Sequence, residues 1–317
     1  VKDPAGRTID YLRLSVTDRC NLRCIYCMPD EGVTLVGHDD ILRFEEVLRL
    51  AGIFRRLGIE KVRVTGGEPL LRRDLPELVA GLSGHGFEEL ALTTNGILLA
   101  PVAGILAGAG LDRVNISLDS LRNEVLSAVT RGAVTREVVE EAVAASLASG
   151  LAPVRINCVV LRGLNDGEVP DFVLWAADTG ACVRFIEHMP ASLSGDMFLP
   201  SAEVLRRASV LGTVMPLAGE PGEVQESWGI EGTDLSFGTI SPVSGAAFCA
   251  GCRRLRLSAS GTLISCLSRA EGIDLRSALR SPGTGDDELA AMIGRAVAEK
   301  PLHHDGCTGM NMWRTGG

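Results

Sequence analysis

Through the first 190 residues, short apolar runs alternate with segments whose apolar positions recur at helical spacing. Runs at 11–16, 61–65, 89–93, 113–118, 154–161 and 182–187 have the length of strands. Between them, residues 44–57 carry Phe44, Val47, Leu48, Ala51 and Phe54 on one helical stripe. Similar stripes predict helices at 75–82, 101–109, 136–149 and 168–179. Repeated strand–helix units predict parallel strands joined by right-handed crossovers. By itself the repeat suits an open doubly wound sheet or a partial barrel equally.

The polar and glycine-rich segments separate the two. They follow the strands, at 17–28, 66–69, 94–96, 117–119 and 188–190. Loops at the carboxyl ends of parallel strands build active sites, and this many converging loops favour a cup. The expected fold is therefore α/β, a partial (β/α)6 barrel. Beyond residue 190 the texture changes to a loop at 191–200, a short helix at 201–211 and an acidic connection at 219–226. Short strands and turns follow, with a late helix near 288–299. Two domains are expected, 1–190 and 191–317, the second holding short antiparallel strands.

The chemistry gathers in two cysteine groups. Cys20, Cys24 and Cys27 stand in a C-x3-C-x2-C run on one short loop after the first strand. Four thiolates close a zinc site or saturate a four-iron cluster, whereas three leave one iron open to a small molecule. Cys249 and Cys252 precede a predicted hairpin, residues 253–258 and 262–266 around Ala259-Ser260-Gly261, which brings Cys266 back beside Cys252. Three ligands again leave an iron open. The competing reading is a zinc ribbon with a fourth ligand from His303, His304 or Cys307. On the hairpin, Arg254 and Arg256 share one side and Leu255 and Leu257 the other. Two guanidiniums beside an open iron suit a polyanion with a coordinating ring; a solvated arginine face is the bland alternative.

Composition narrows the setting. A net charge of −9 and a pI near 5.2 argue against a broad nucleic-acid footprint but allow a local basic pocket. No apolar run reaches the roughly 18 residues of a membrane span, and the first residues lack a signal-peptide stretch. Nine cysteines, an odd number with six in two groups, suit a reducing cytoplasm. Only Lys2, Lys61 and Lys300 are lysines among 31 basic residues, so any arginine cluster is partly compositional habit.

With both cysteine groups in view, the chain resembles the GTP 3′,8-cyclase family, molybdenum cofactor biosynthesis protein A, within the radical S-adenosylmethionine superfamily. The carriers are the run from Tyr11 to Arg19 leading into Cys20, Arg63-Val64-Thr65-Gly66-Gly67-Glu68-Pro69, Thr93-Thr94-Asn95-Gly96 and Asn115-Ile116-Ser117-Leu118-Asp119. Further along stand Arg184-Phe185-Ile186-Glu187-His188-Met189, the cysteine hairpin and the terminal Gly316-Gly317. The resemblance implies a radical-SAM partial barrel with a C-terminal iron–sulfur domain and two 4Fe-4S clusters. Cys20, Cys24 and Cys27 would hold the first, whose open iron takes S-adenosylmethionine, with Gly67, Tyr26, Ser117 and Met189 also contacting that molecule. Cys249, Cys252 and Cys266 would hold the second, which receives the guanine edge of GTP. Arg13, Arg63, Thr94, Arg254 and Arg256 match GTP-contacting positions, with Arg184 beside them and Arg155 where the family carries lysine. Gly316 and Gly317 would reach into the active site, a frayed terminus being the default reading. Arg13, Arg254, Arg256 and the two glycines are the catalytic candidates.

The implied reaction is abstraction of the C3′ hydrogen of GTP by a 5′-deoxyadenosyl radical, attack of C3′ on guanine C8, and reduction to 3′,8-cyclo-7,8-dihydro-GTP. Implied partners are an electron donor such as flavodoxin or ferredoxin and a downstream cyclic pyranopterin monophosphate synthase. No nucleic-acid or membrane partner is expected, and a homodimer is left open. Arg155, and Arg253 in place of a small polar residue, keep open a paralogue acting on another nucleotide. A peptide-modifying radical enzyme and a non-catalytic iron–sulfur sensor are further alternatives. Cys158 and Cys182 fall inside apolar strands and read as core residues.

Overall fold

The structure, a computed structural model, describes residues 1–189, 197–219, 223–245, 248–269 and 271–303. The six expected strands form as β1 (Tyr11–Ser15), β2 (Lys61–Thr65), β3 (Glu89–Thr94), β4 (Arg113–Ser117), β5 (Arg155–Val160) and β6 (Cys182–Glu187). Helices α1 (Phe44–Arg56), α2 (Leu75–Ser83), α3 (Ala103–Gly108), α4 (Asn123–Thr130), α5 (Arg136–Ala148) and α6 (Val169–Thr179) connect them. The strands pair in parallel and lie side by side in chain order. A doubly wound sheet reverses its order at a switch point, and this one does not. Crossovers of one hand then carry the helices to one face and leave the other free.

The later segment forms α7 (Ser201–Ala208), β7 (Val214–Leu217), β8 (Gln225–Ile230), β9 (Ser236–Ile240), β10 (Arg254–Leu257), β11 (Thr262–Ile264), β12 (Ile273–Asp274), α8 (Leu275–Arg280) and α9 (Asp286–Ala298). Among the described residues these strands make no sheet of their own but extend both edges of the first. β9 lies parallel to β6, and β8 and β7 follow it antiparallel. On the opposite edge β10 lies parallel to β1, with β11 and β12 antiparallel beyond. The sheet order ends in β12 and β7, which do not pair, so the barrel stays open.

Alternation along the strands decides what each face carries. Leu12, Leu14, Val62, Val64, Leu90, Leu92, Val114 and Ile116 are each 2% exposed or less. They pack in the single core that the helices cover. Cys158 belongs to that core as expected. Cys182 does not: it opens β6 at the sheet rim and is exposed. Among the described residues no helix is long and apolar enough to cross a membrane.

Beyond the strand pairing, side chains of β6 tie the later segment to the barrel. Phe185 stands edge-on between Phe172 and Phe237, with ring centroids at 6.2 and 5.8 Å. At the end of β6, the buried Glu187 carboxylate accepts from Ser201 N at 2.8 Å, Val243 N at 3.0 Å and Ser244 N at 2.9 Å. Phe185→Ala opens a cavity where α6, β6 and β9 meet. Urea unfolding should record a loss of about 3–5 kcal/mol; a loss below about 1 kcal/mol would show that the site collapses freely.

Candidate active site

The face left free by the helices is concave and encloses a cavity of about 350 Å³. Inward positions of neighbouring strands fall into rows. Register aligns Arg254, Tyr11, Lys61 and Glu89 in one row, and Arg256, Arg13, Arg63 and Ala91 in the next, where Arg113 pairs with Ala91. Toward the carboxyl ends, Asn115 aligns with Arg155, and Ser117 with Asn157 and Arg184. Eleven lysines and arginines line the cavity against four carboxylates.

Five of these guanidiniums are buried: Arg13 and Arg63 at 8% exposure, Arg113 and Arg184 at 5%, Arg256 at 8%. Arg113 is held by both oxygens of Glu89, at 2.8 and 2.6 Å, and donates to Asn115 Oδ1 at 3.1 Å. Arg184 donates to the same oxygen at 2.9 Å and to Asn157 Oδ1 at 3.1 Å. The Nε groups of Arg13 and Arg63 and the Tyr11 hydroxyl are buried without a hydrogen-bond partner. Burial, then Arg256 and Arg63, push the Arg13 guanidinium well below its usual pKa. Burial, then Arg63 and Arg155, do the same to Arg184. The wall therefore holds more buried positive charge than its carboxylates neutralise.

The two cysteine sets lie at opposite ends of this wall. Cys20, Cys24 and Cys27 follow the carboxyl end of β1 and line the cavity there. Cys249 and Cys252 precede the amino end of β10, Cys266 follows β11, and all three line the cavity too. Because β10 runs parallel to β1, with Arg254 beside Tyr11, the sets are separated by the length of a strand, roughly 17 Å.

The first set sits on a turn in which Cys27 N and Met28 N donate to Cys24 O at 2.8 and 3.0 Å. Leu22 N points to Cys20 Sγ at 3.4 Å. The loop is seated by α4, a helix the hydrophobic pattern did not reveal: Arg23 N and Ile25 N donate to Thr130 O and Val129 O, both at 2.9 Å. Burial, then Cys20 and Asp119, push the Cys27 thiol up to about 12, and burial with Asp119 raises Cys24 as well. These thiols ionise on metal binding, the metal displacing the proton. Soft thiols on one turn with an amide aimed at sulfur are the donor chemistry of a cysteine-ligated cluster.

Gly67 and Thr94 line the cavity near this set. A Cβ on Gly67 would stand 2.3 Å from Arg19 O, so glycine is required to pack the loop against residues 17–19. Glu68 is fully buried and accepts from Thr94 Oγ1 and Asn95 N at 2.8 Å and Leu70 N at 3.0 Å. Burial pushes its carboxyl up to about 7. The Thr94 hydroxyl is thus engaged by Glu68. Tyr26 donates to Asp119 Oδ2 at 2.7 Å, Val159 N donates to Oδ1 at 2.9 Å, and burial raises Asp119 to about 6. Ser117 and Met189 complete this end.

The second set is braced by cations. Arg7 Nη1 donates to Cys249 O at 2.8 Å, and Lys300 Nζ to Arg254 O at 2.8 Å and Ser265 O at 2.6 Å. Burial acts against ionisation of Cys252, but Lys300 and Arg254 outweigh it and lower its pKa. Arg155 pairs with Glu223 at 3.2 Å, and Arg253 donates to the buried Asp10 at 2.8 Å. His303 lines the cavity; His304, Cys307, Gly316 and Gly317 lie outside the described residues. Every other expected site residue lines this one cavity. The structure adds Lys61, Arg113, Asp119 and Lys300. Asp119 stood in a quoted motif, whereas the others are inward strand or terminal positions with no spacing signal.

Comparison with known proteins agrees with this geometry. Residues 14–176 match the radical SAM superfamily and residues 181–306 match Molybdenum Cofactor Synthesis C. A GTP 3′,8-cyclase of Moorella thermoacetica is 44% identical over 313 residues, covering 96% of this chain and 95% of the relative. The chain belongs to the GTP 3′,8-cyclase family. The family's Geobacter sulfurreducens member is likewise 44% identical, over 95% of this chain and 93% of its own. Streptococcus suis SuiB, solved with S-adenosylmethionine, shares the fold at a TM-score of 0.61 and 16% identity, covering 87% of this chain and 65% of that one.

Glu68 makes stability fall with pH. Its carboxyl binds a proton more tightly folded, at about 7, than unfolded, near 4.5. Its contribution is full below the unfolded value and lost as pH rises through about 7, a change of about 3 kcal/mol. Urea unfolding at pH 5 and pH 8 should show this fall in the wild type and not in Glu68→Gln. Equal pH dependence in the two would rule it out.

Proposed function

We propose that this protein is a radical S-adenosylmethionine enzyme converting GTP to 3′,8-cyclo-7,8-dihydro-GTP, the first step of molybdenum cofactor biosynthesis. The observation that carries this reading is a buried arginine wall with a three-cysteine set at either end. When bound, a cluster on Cys20, Cys24 and Cys27 supplies, with S-adenosylmethionine, the 5′-deoxyadenosyl radical that takes the C3′ hydrogen of GTP.

The chain's own residues position the two guests. Tyr26, Gly67, Ser117 and Met189 would contact S-adenosylmethionine near the first set. Cys249, Cys252 and Cys266 would hold a second 4Fe-4S cluster, which would receive the guanine edge of GTP. Arg13, Arg63, Arg155, Arg184, Arg254 and Arg256, with Lys61, Arg113 and Thr94 between them, would receive the triphosphate and ribose. Arginine's forked donors suit phosphate oxygens, and a polyanion offsets the charge buried in the wall. Orientation would bring C3′ to the radical and C8 to C3′. Gly316 and Gly317 would reach into the active site.

Residues 1–190 would serve as the radical half and 191–317 as the second-cluster half. An electron donor such as flavodoxin or ferredoxin and a downstream cyclic pyranopterin monophosphate synthase are the proposed partners, in the cytoplasm. The ion pair of Arg253 with Asp10 supports a structural role for that departure from the family pattern.

Protein reconstituted anaerobically should contain about eight irons per chain. With GTP, S-adenosylmethionine and dithionite it should yield a GTP-derived cyclic product together with 5′-deoxyadenosine. Formation of 5′-deoxyadenosine without that product would reassign the substrate to another nucleotide. About four irons with bound zinc would make the second set a structural zinc site. Arg256→Ala removes charge-assisted contacts worth about 1.5–3 kcal/mol, so kcat/KM for GTP should fall about 10- to 100-fold, while uncoupled S-adenosylmethionine cleavage persists. An unchanged kcat/KM would exclude Arg256 from the substrate site.

A further inference from the structure

Of the three lysines the fold buries one deeply: Lys300 is 6% exposed, while Lys2 is exposed and Lys61 half-buried. Lys300 follows α9, and its ammonium donates to Arg254 O at 2.8 Å and Ser265 O at 2.6 Å. Arg254 stands two residues after Cys252, and Ser265 immediately precedes Cys266. The ammonium thus bridges the cysteine-bearing ends of β10 and of the segment after β11. Its side chain also hydrogen-bonds Cys252, and its charge acts on the thiols of both Cys252 and Cys266. Arg7 extends the brace to the third cysteine, joining Cys249 O at 2.8 Å to Pro301 O at 2.8 Å.

A buried ammonium costs several kcal/mol unless an anion offsets it. Two neutral carbonyls satisfy its hydrogen bonds but not its charge. The anion within reach is the pair of thiolates, which carry negative charge once they ligate iron. Adding an electron to a cysteine-ligated cluster makes it more negative by one charge, so a fixed cation at the sulfurs stabilises the reduced form more than the oxidised one. The first cysteine set is placed oppositely, beside the carboxylates of Glu68 and Asp119.

Resting on the two-cluster reading above, we propose that Lys300 is a positioning residue of the second cluster. It holds Cys252 and Cys266 at their separation and places a positive charge at their sulfurs that raises the cluster's reduction potential.

The test is a dithionite titration followed by electron paramagnetic resonance. It uses the full-length chain carrying Cys20→Ala, Cys24→Ala and Cys27→Ala, so that only the second cluster contributes, with Lys300 intact, Lys300→Gln or Lys300→Arg. Glutamine keeps donors and removes the charge. At the midpoint of the Lys300 protein, Lys300→Gln should show a ratio of reduced to oxidised cluster lower by about tenfold. That equals a shift of about 59 mV toward negative potential for a one-electron couple. Lys300→Arg should restore the ratio. Loss of iron in Lys300→Gln with retention in Lys300→Arg also supports the role. An unchanged midpoint in Lys300→Gln at full iron content overturns it, as does loss of iron in both variants. If the protein with Lys300 intact binds no iron at this set, the two-cluster reading itself has failed, and iron analysis separates that result from the others.

Discussion

Positive charge buried on one concave face is the constraint around which this molecule is arranged. Strand neighbours in a sheet stand about 5 Å apart, so the row through Arg256, Arg13 and Arg63 places like charges side by side in a medium where water screens them little. Glu89 offsets Arg113, and Asn115 and Asn157 satisfy Arg184, but the Nε atoms of Arg13 and Arg63 have no hydrogen-bond partner. A fold tolerates such a row where the apolar face of the same strands is well packed, and here it is. Every second residue of β1 to β4 goes into a continuous core under the helices. The row costs stability and prepares the cavity for a multiply charged anion, the usual trade at a functional site.

Electrostatics also divides the two cysteine sets. At the carboxyl end of the strands Glu68 and Asp119 face the first set, and its thiols resist ionisation. At the amino end Lys300 and Arg254 face the second, and Cys252 ionises more readily. Identical donor chemistry is thereby tuned in opposite directions across roughly 17 Å of one sheet. The division follows from a single pairing, β10 laid parallel on β1, which carries its cysteines to the opposite rim from the loop after β1. A fold does not by itself set function; the charge that suits this cavity to an anion lies in its inward rows and the added edge strands.

Much of this was legible in the residues. Strand–helix alternation located all six barrel strands, and loop placement after those strands located the site. Cysteine spacing named the donor chemistry, and the alternation of Arg254 and Arg256 with Leu255 and Leu257 set the facing of the hairpin. What escaped had no local signal. α4 is short, and Leu126 and Val129 are its only large buried apolar side chains, so its pattern is too brief to register, yet it seats the first cysteine loop. Cys182 shares the composition of a core strand but opens β6 at the exposed rim, a matter of where the strand begins rather than of its content. Lys300 is one isolated cation until the chain folds it against the hairpin.

By itself the sequence determined which residues are apolar, how they alternate, and that three thiols share one tight turn while a second pair precedes a hairpin; these are properties of neighbours along a chain, set by covalent spacing and side-chain period. Only the tertiary structure decided that the later strands join the two edges of the first sheet and that the cysteine sets face each other along its axis. It also decided that arginines from different strands share one row. Those relations depend on register between strands distant in sequence, and register is settled by burial of the whole apolar face at once, not by any segment alone.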